Sequence, residues 1–349
     1  MVQAEQQLSE IFSPLTLQVR RKTMEVPGVD LAMEVSGGTS RWMMVCEIKS
    51  NGQPRHIRGA ALQARDLARR VHVEGPTYPV VIAPFISAES GAICQELGVG
   101  YVDLAGNCRL VFDTLYVQRT VAKNPFGEKR EQRSLFAPKS ARILRLMLEL
   151  PSHEWKVAEL AERAEVSYGQ VSKVRTYLID REWAAGTWGA VRLVKPKALL
   201  DSWQKAYKPM RSKRTTYYTL LHGEQLQEAI KKATSYILFG QALLSSYSAA
   251  RWLAPYARVA GEYFYVDIAG ERRLKEILKL EPVAKGENVT IDLASDAGFF
   301  HGRTEGAPGI FCTSPIQTYL DLTTSGERGE EAAQHLFTER IEPTWTLTA

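Results

Sequence analysis

Four polar residues in the N-terminal part of the sequence have types and spacing that suit the chemistry of one shared site. Asp30 begins a strand-like run, Glu47 and Lys49 stand two positions apart in CEIKS, and Gln63 lies in the next predicted helix. Side chains at i and i+2 of a strand point to the same side, so Glu47 and Lys49 project together. Carboxylate oxygens, such as those of Asp30 and Glu47, are the ligands that hard cations such as Mg²⁺ prefer. The alternative is an ordinary surface ion pair between Glu47 and Lys49.

The order of these residues resembles that of the PD-(D/E)xK nuclease superfamily, over residues 1–120. The resemblance implies a restriction-endonuclease-like α/β domain in which Asp30 and Glu47 hold Mg²⁺. Lys49 would then activate water, Gln63 would be an auxiliary polar group, and Glu10 on the first helix could match an acidic residue that some members have. Because many domains of this fold only bind DNA or support a structure, we favour a non-catalytic module and keep DNA hydrolysis as the alternative.

From Ser140 onward the apolar residues follow a helical period. SARILRLMLEL and KVAELAERA each carry apolar residues on one face, and Ser167 stands at the N-cap position of a third helix, YGQVSKVRTYLID. Residues 183–194 have the pattern of a β-hairpin. Three helices, a tight turn and a hairpin in this order predict a winged helix-turn-helix over residues 139–200.

The third of these helices has one face rich in hydrogen-bond donors. Val171, Val174 and Leu178 are expected to face inward. The positions left outside are Tyr168, Gln170, Ser172, Lys173, Arg175 and Thr176. A helix of this kind fits the major groove of duplex DNA, where Gln pairs with adenine and Arg with guanine.

We therefore expect Gln170 and Arg175 to contact bases, with phosphate contacts from Lys173, Tyr168 and Ser172. Arg192, in the hairpin, would contact the minor groove or the backbone. The alternative is a winged helix that binds only protein, in which case this polar face is solvated surface.

Basic residues flank this central segment on both sides. One group lies in a predicted linker, residues 121–138, and the other lies between Lys205 and Arg214. The members are Lys123, Lys129, Arg130 and Arg133 in the first group, and Lys208, Arg211, Lys213 and Arg214 in the second. The uneven placement of the charge favours a polyanionic partner more than the net charge of +5 does.

The last part of the chain, residues 215–349, is again α/β by pattern. Strands are predicted at SYILFG, EYFYVDIA and NVTIDLA, and helices at QALLSSYSAARWL and PIQTYLDLT. A further helical stretch is predicted at GEEAAQHLFTERI. In and after PIQTYLDLT, Tyr319, Leu320 and Leu322 are expected in the core, whereas Asp321 and Arg328 are expected as a surface charge and a cap. Gln241 follows Gly240 and no DxD pair comes after it, which argues against a nucleotidyltransferase active site.

Two strings, GVGYVDLAGNCRLVF and SPIQTYLDLTTSGERGEEAAQHL, resemble stretches of AbiEi-type transcriptional regulators, the antitoxins of type IV toxin–antitoxin systems. The resemblance implies a DNA-binding regulator whose C-terminal domain counters a nucleotidyltransferase-type toxin. The sequence departs from the simplest pattern of that family, because its winged helix is central and a nuclease-like domain precedes it. In the first string Asp103, Gly106 and Asn107 have either a functional role or that of a tight turn, since Gly and Asn tolerate positive φ.

Composition excludes several classes of protein. Apolar residues are 45% and charged residues 24% of the 349 positions, which is the balance of a globular chain. No apolar run reaches the ~18 residues of a membrane span, and the first residues lack the features of a signal peptide, so we expect a cytoplasmic protein without a membrane partner. The four cysteines lack zinc spacing and are expected to be buried. Double-stranded DNA is the expected partner, read by a homodimer if the site is palindromic.

Overall fold

The computed structural model describes residues 2–15, 17–23, 26–37, 40–112, 115–121, 125, 134–187, 189–209, 211–235, 240–256, 261–283 and 285–346. The chain divides into two compact units: Met1–Glu131 with Leu178–Glu182, and Gln132–Tyr177 with Trp183–Ala349. The predicted linker lies mostly outside the described residues, together with its Lys123, Lys129, Arg130 and Arg133. None of the described helices is long and apolar enough to cross a bilayer.

A seven-stranded mixed sheet forms the centre of the first unit. The strands lie in the sheet in chain order. The pairs β3–β4 and β4–β5 are parallel, and the other pairs are antiparallel. The strands are β1 (Gln18–Lys22), β2 (Leu31–Gly37), β3 (Ser40–Ile48), β4 (Thr77–Ala83), β5 (Gly100–Asp103), β6 (Cys108–Phe112) and β7 (Leu115–Arg119).

Helices cover both faces of this sheet. Helix α1 (Val2–Phe12) packs on the face that carries Met44 and Cys46. Helices α2 (Pro54–Arg70) and α3 (Ala88–Glu96) pack on the opposite face. Strand β4 is buried on both sides, which is why its sequence is a continuous apolar run, and the prediction of a covered strand at PVVIAPF is confirmed.

The central part of the chain consists of helices around a small antiparallel sheet. Its strand order is β8-β10-β9. The elements, in chain order, are α4 (Pro138–Glu149), β8 (Trp155–Lys156), α5 (Val157–Arg163), α6 (Tyr168–Asp180), β9 (Ala184–Ala185), β10 (Ala190–Leu193) and α7 (Pro196–Ala206). The hairpin predicted at residues 183–194 is present as the β9–β10 pair.

The C-terminal part contains a second seven-stranded mixed sheet, with strand order β14-β11-β15-β13-β12-β17-β16. Its strands are β11 (Arg211–Tyr218), β12 (Ala242–Leu244), β13 (Glu262–Val266), β14 (Glu281–Pro282), β15 (Val289–Ala294), β16 (Thr304–Ala307) and β17 (Ile310–Cys312). The helices around it are α8 (Gly223–Ser235), α9 (Ser246–Leu253), α10 (Ile268–Leu278), α11 (Pro315–Leu322), α12 (Glu327–Leu336) and α13 (Glu342–Thr346). The protein is therefore mixed α/β throughout.

One prediction for this part needs correction, and another falls outside the described residues. The helix predicted at QALLSSYSAARWL is wrong in its first half, because residues 242–244 form the buried strand β12 and the helix starts only at Ser246. A short apolar run covered on both sides does not reveal by its period whether it is strand or helix. The strand predicted at SYILFG falls largely on residues 236–239, outside the described residues.

Candidate nucleic-acid interface and carboxylate pair

Helix α6 is fixed by its buried stripe and by its N-cap. Val171, Val174 and Leu178 are buried, as predicted. The hydroxyl of Ser167 accepts a hydrogen bond from the backbone N–H of Gln170 at 3.3 Å, which satisfies one of the free N–H groups at the start of the helix. The period of 3.6 residues then determines which side chains lie on the outer face.

Four of the predicted contact residues on this helix are exposed. They are Tyr168, Ser172, Lys173 and Thr176. Arg192 is also exposed, on β10, where Val191 and Leu193 point inward. Lys156 of β8 pairs with Ala190, two residues from Arg192, and its side chain is exposed as well. Cationic and hydroxyl side chains thus occupy the outside of both the helix and the small sheet.

The other two predicted contact residues, Gln170 and Arg175, donate hydrogen bonds to groups within the protein. The side-chain amide of Gln170 donates to the hydroxyl of Ser140 at 2.7 Å, which ties α6 to α4. The guanidinium of Arg175 donates to the backbone carbonyl of Thr187, in the loop between β9 and β10. Each of these side chains therefore uses one of its N–H groups to hold a neighbouring element, and the base contacts expected of Gln170 and Arg175 stay a prediction.

The carboxylates Asp30 and Glu47 lie side by side on the face of the first sheet that α2 covers. Leu31 pairs with Cys46, so Asp30, one position earlier, lies next to Glu47. The Nζ of Lys49 donates to Oε1 of Glu47 at 2.6 Å, and Oδ2 of Asp30 accepts from the backbone N–H of Ile48 at 2.8 Å. Three of the four residues predicted from the spacing are thus brought together.

Glu47 is an unusual residue for the inside of a sheet. Its side chain is 2% exposed, and Oε2 is buried with no hydrogen-bond partner among the described residues. Burial raises the pKa of Glu47, the hydrogen bond from Lys49 acts against this, and the charge of Asp30 raises the pKa further. The exposed surface ion pair is therefore excluded as a description of Glu47.

The other two residues considered for this site, Gln63 and Glu10, do not join the pair of Asp30 and Glu47. Gln63 is exposed on α2 and shares no hydrogen bond with Asp30, Glu47 or Lys49 among the described residues. Glu10 lies on α1, which packs on the other face of the sheet, and accepts hydrogen bonds from Gln6 and Gln7. Because α1 packs on the sheet face that carries Cys46, and Glu47 points to the opposite face, Glu10 and Glu47 lie on different faces of the sheet.

Two carboxylates with an unpartnered buried oxygen fit the donor set that a divalent cation prefers. Within the described ranges, no group of three or more His, Cys, Asp or Glu side chains forms a metal-binding cluster. A cation at this position would therefore rely on Asp30 and Glu47 together with backbone or solvent oxygens.

The DLAGN segment forms a tight turn around a buried carboxylate. Asp103 is fully buried, and its oxygens accept from the backbone N–H groups of Ile86, Ala105 and Asn107 and from the Asn107 amide, at 2.7–2.9 Å. Gly106 has φ +104°, a conformation that glycine adopts without strain. These four hydrogen bonds to one carboxylate explain the DLAGN segment as a structural turn.

A buried polar network crosses the second unit and was missed from the sequence. Arg145, on α4, donates to the amide oxygen of Gln317, on α11, at 2.6 and 3.0 Å. The Gln317 amide nitrogen donates to Oδ1 of Asp321 at 2.9 Å, and this oxygen also accepts from the hydroxyls of Tyr207 and Tyr265. Burial raises the pKa of Asp321 to about 6. Asp321 is thus a core residue, and its prediction as a surface charge is wrong.

A second polar cluster joins α4 to the turn before α6. Arg142 forms a bidentate ion pair with Asp296, at 2.8 and 2.9 Å. Its third nitrogen, Nη1, donates to the carbonyls of Ala164 and Glu165 at 3.5 and 3.4 Å. No sequence signal pointed to Arg142, because an arginine beside an apolar stripe is normally solvated.

The fold and these sites define a mixed α/β protein with a cationic helix in its centre and a buried carboxylate pair in its first unit. Residues 192–342 match the family model described as "Transcriptional regulator, AbiEi antitoxin, Type IV TA system". The matched range contains the string that begins at Ser314 and does not contain GVGYVDLAGNCRLVF. No curated protein and no solved structure matches the chain.

Proposed function

We propose that this protein is a DNA-binding transcriptional regulator of the AbiEi antitoxin type, which reads duplex DNA with helix α6. In this proposal residues 139–200 are a winged helix-turn-helix, residues 215–349 an AbiEi-like domain, residues 1–120 a restriction-endonuclease-like module and residues 121–138 a basic linker. Support comes from the family match over residues 192–342, which begins within β10 and covers all of the C-terminal sheet. Such a regulator would act in the cytoplasm.

The observation that carries the proposal is the composition of the exposed face of α6. Ser172, Lys173 and Thr176 are exposed there, beside Tyr168 at the start of the helix. Asp180, at the end of the helix, is its only acidic residue. A helix that exposes donors and a cation to the major groove gains both phosphate and base contacts.

The contacts within the fold divide the six predicted helix residues into two groups. We assign DNA contacts to Tyr168, Ser172, Lys173 and Thr176, with Arg192 contacting the backbone or minor groove from the hairpin. Gln170 and Arg175 hold α6 against α4 and against the β9–β10 loop, so we assign them the task of orienting the helix and the wing.

Binding of a short random-sequence duplex, measured by fluorescence anisotropy at several salt concentrations, tests the proposal. The double variant Lys173→Ala/Arg192→Ala removes two proposed phosphate contacts, so the slope of log K against log salt should become shallower by about 0.9 for each. The matched control, Lys232→Ala/Arg328→Ala, removes the same charge from exposed positions of the C-terminal part. Equal losses in both double variants would refute the assignment of α6.

The family resemblance also suggests partners. We propose that the protein counters a nucleotidyltransferase-type toxin encoded near its own gene, and that it binds a palindromic operator as a homodimer. Co-expression with the neighbouring gene tests the first part: rescue of growth by the parent chain supports it, and toxicity unchanged by the chain contradicts it.

A second candidate function, magnesium-dependent DNA hydrolysis, is favoured by one observation. Within the part of the chain that the structure describes, Oε2 of Glu47 is buried without a hydrogen-bond partner next to Asp30, which is the arrangement expected of a metal ligand. A divalent cation held by Asp30 and Glu47 would supply charge stabilisation for hydrolysis of a phosphodiester. Lys49, bonded to Glu47, would hold Oε1 in place and leave Oε2 free.

Incubation of plasmid DNA with Mg²⁺ or Mn²⁺ tests this candidate. Cleavage by the parent chain that disappears in Glu47→Gln and persists in Glu34→Gln would support it. Glu34 is a suitable control, because it lies on the same sheet and pairs with Lys22 at 3.3 Å. Intact plasmid with a parent chain that binds DNA would refute hydrolysis and leave the regulator unaffected.

A further inference from the structure

Arg142 contacts two parts of the second unit that are far apart in the sequence. Its Nε and Nη2 donate to the two oxygens of Asp296, and its Nη1 reaches the carbonyls of Ala164 and Glu165. Nη1 also lies 3.5 Å from Oε2 of Glu165. One guanidinium therefore joins a residue that follows β15 of the C-terminal sheet to the turn between α5 and α6.

The ion pair with Asp296 has the geometry of a strong contact. Both side chains are 13% exposed, and the two parallel hydrogen bonds fix the plane of the guanidinium. Oδ1 of Asp296 also accepts from the backbone N–H of Gly298 at 2.8 Å. Burial alone would raise the pKa of Asp296, but the hydrogen bonds from Arg142 and Gly298 outweigh it and the pKa is lowered. Asp296 is thus held as an anion in a fixed position.

The turn that Arg142 contacts determines where α6 starts. Glu165 has φ +52°, a left-handed conformation that is uncommon for a residue other than glycine. It follows Ala164, at the end of α5, and Ser167 caps α6 two residues later. Helix ends leave carbonyls without partners inside the helix, and Arg142 donates to two carbonyls at this point. His301, near Asp296 in the chain, lies 3.7 Å from the Glu165 carboxylate.

We propose that Arg142 is a positioning residue for DNA binding: it locks the turn 164–167 to Asp296, so that the C-terminal domain sets the direction of α6. This inference rests on the proposed function, because it assigns a task to α6 that only a DNA reader needs. Arg142 touches no DNA in this scheme. Its loss should reduce the selectivity of α6 for its preferred sequence and leave the number of phosphate contacts unchanged.

The test compares Asp296→Asn with Asp292→Asn. Asp292 forms an equally well-defined bidentate ion pair, with Arg214 at 2.8 and 2.6 Å, and does so within the C-terminal sheet. The two variants lose the same charge and a comparable contact, but only Asp296 is joined to the turn. Both should lower the thermal stability, because each removes a carboxylate that is mostly buried and holds an arginine by two hydrogen bonds.

Two readouts separate positioning from stability. In Asp296→Asn, amide hydrogen exchange of residues 164–171 should become faster, whereas in Asp292→Asn it should not. The ratio of affinities for a duplex selected by the parent from a random pool and for an unselected duplex should fall about tenfold in Asp296→Asn only, as after loss of one base contact. The salt slope should stay that of the parent. Arg142→Lys keeps the positive charge and loses the two parallel hydrogen bonds of the guanidinium, so it should repeat these changes. It replaces Asp296→Asn as the test variant if Asp296→Asn does not fold.

Each result decides between the inference and the proposed function. Unchanged exchange and an unchanged affinity ratio in Asp296→Asn and Arg142→Lys would overturn the positioning role, while the regulator would stand on the binding of the parent. A parent chain that binds no duplex would overturn the proposed function and the positioning role together. Equal effects of Asp292→Asn would show that only general destabilisation is at work, and would also overturn the role of Arg142.

Discussion

Arg145 and Asp321 are joined through a third side chain, because the amide of Gln317 accepts from the guanidinium and donates to the carboxylate. The pair links α4 to α11. The Cζ atom of Arg145 lies 5.6 Å from the ring centroid of Trp203 and 5.1 Å from that of Phe299. Buried charges cost free energy unless they are paired and hydrogen-bonded, and an amide can satisfy both partners at once. Helix α4 of the central part and helix α11 of the C-terminal part therefore share one polar core.

The first prediction concerns this bridge. Gln317→Leu removes an acceptor from Arg145 and a donor from Asp321, so both charges stay buried without that partner. We expect the free energy of unfolding to fall by at least about 2 kcal/mol, because each buried group that loses its hydrogen-bond partner costs about 1–3 kcal/mol. Urea denaturation followed by tryptophan fluorescence measures it.

The control for this prediction is Gln225→Leu, the same substitution at an exposed position of α8. It should change the stability by no more than about 0.5 kcal/mol. If Gln317→Leu were as stable as Gln225→Leu, the network would carry no net stabilisation and the bridge would be incidental.

The second prediction concerns pH. Burial raises the pKa of Glu149 from 4.5 to about 7, against the charge of Arg145. A carboxyl whose folded pKa is raised contributes stability that is complete below pH 4.5 and is lost as the pH rises towards about 7. The stability of the parent relative to Glu149→Gln should therefore decline across this window, by at most about 3 kcal/mol, and be constant outside it.

Thermal unfolding of parent and variant at a series of pH values checks this. Glu330→Gln, at an exposed position of α12, is the control and should run parallel to the parent. A parent that becomes more stable relative to Glu149→Gln as the pH rises would reverse the sign and contradict the burial of Glu149.

The third prediction separates two basic residues of α6. Arg175 is bonded to Thr187, whereas Lys173 is exposed. Arg175→Ala should weaken duplex binding about tenfold, equal to ~1.4 kcal/mol, by releasing the wing loop, with the salt slope unchanged. Lys173→Ala should make the slope shallower by about 0.9. A shallower slope in Arg175→Ala would mean that Arg175 contacts a phosphate instead.

The fourth prediction concerns the turn in the first unit. Asp103→Ala leaves three backbone N–H groups and the Asn107 amide without their acceptor. Since each buried donor left unpaired costs about 1–3 kcal/mol, we expect a loss of at least ~3 kcal/mol in the stability of the first unit. Asp66→Ala, at an exposed position of α2, should be nearly neutral. Duplex binding below the unfolding temperature should be unchanged, and a loss of binding would give Asp103 a functional role.

The sequence predicted the elements whose periods are clear. The stripe Val171, Val174 and Leu178 and the N-cap Ser167 are confirmed, and the four cysteines are buried as expected. These features depend on neighbours within a few residues, so they can be predicted from local patterns. Strand β12 could not be predicted in this way, since its burial depends on β13 and β17, distant in the chain.

The candidate sites show the same difference between contacts that local patterns predict and contacts that depend on distant parts of the chain. The i, i+2 spacing predicted that Glu47 and Lys49 project together, and the structure shows them hydrogen-bonded, with Asp30 beside Glu47 through the pairing of β2 with β3. The contacts of Arg142, Arg145 and Asp321 depend on partners more than a hundred residues away. The sequence alone does not show whether a charged residue beside an apolar helix face is buried or exposed, because burial requires a partner from elsewhere in the chain.

Site-specific crosslinking measures which residue of the protein touches DNA. The four natural cysteines are buried, so Ser172→Cys and Gln225→Cys each introduce a single exposed thiol to which a photo-crosslinker can be attached. On a bound duplex, the probe at position 172 should crosslink to bases in the major groove, and the probe at position 225 should not. A protein that binds the duplex without any crosslink from position 172, or with equal yield from position 225, would contradict the claim that α6 reads DNA.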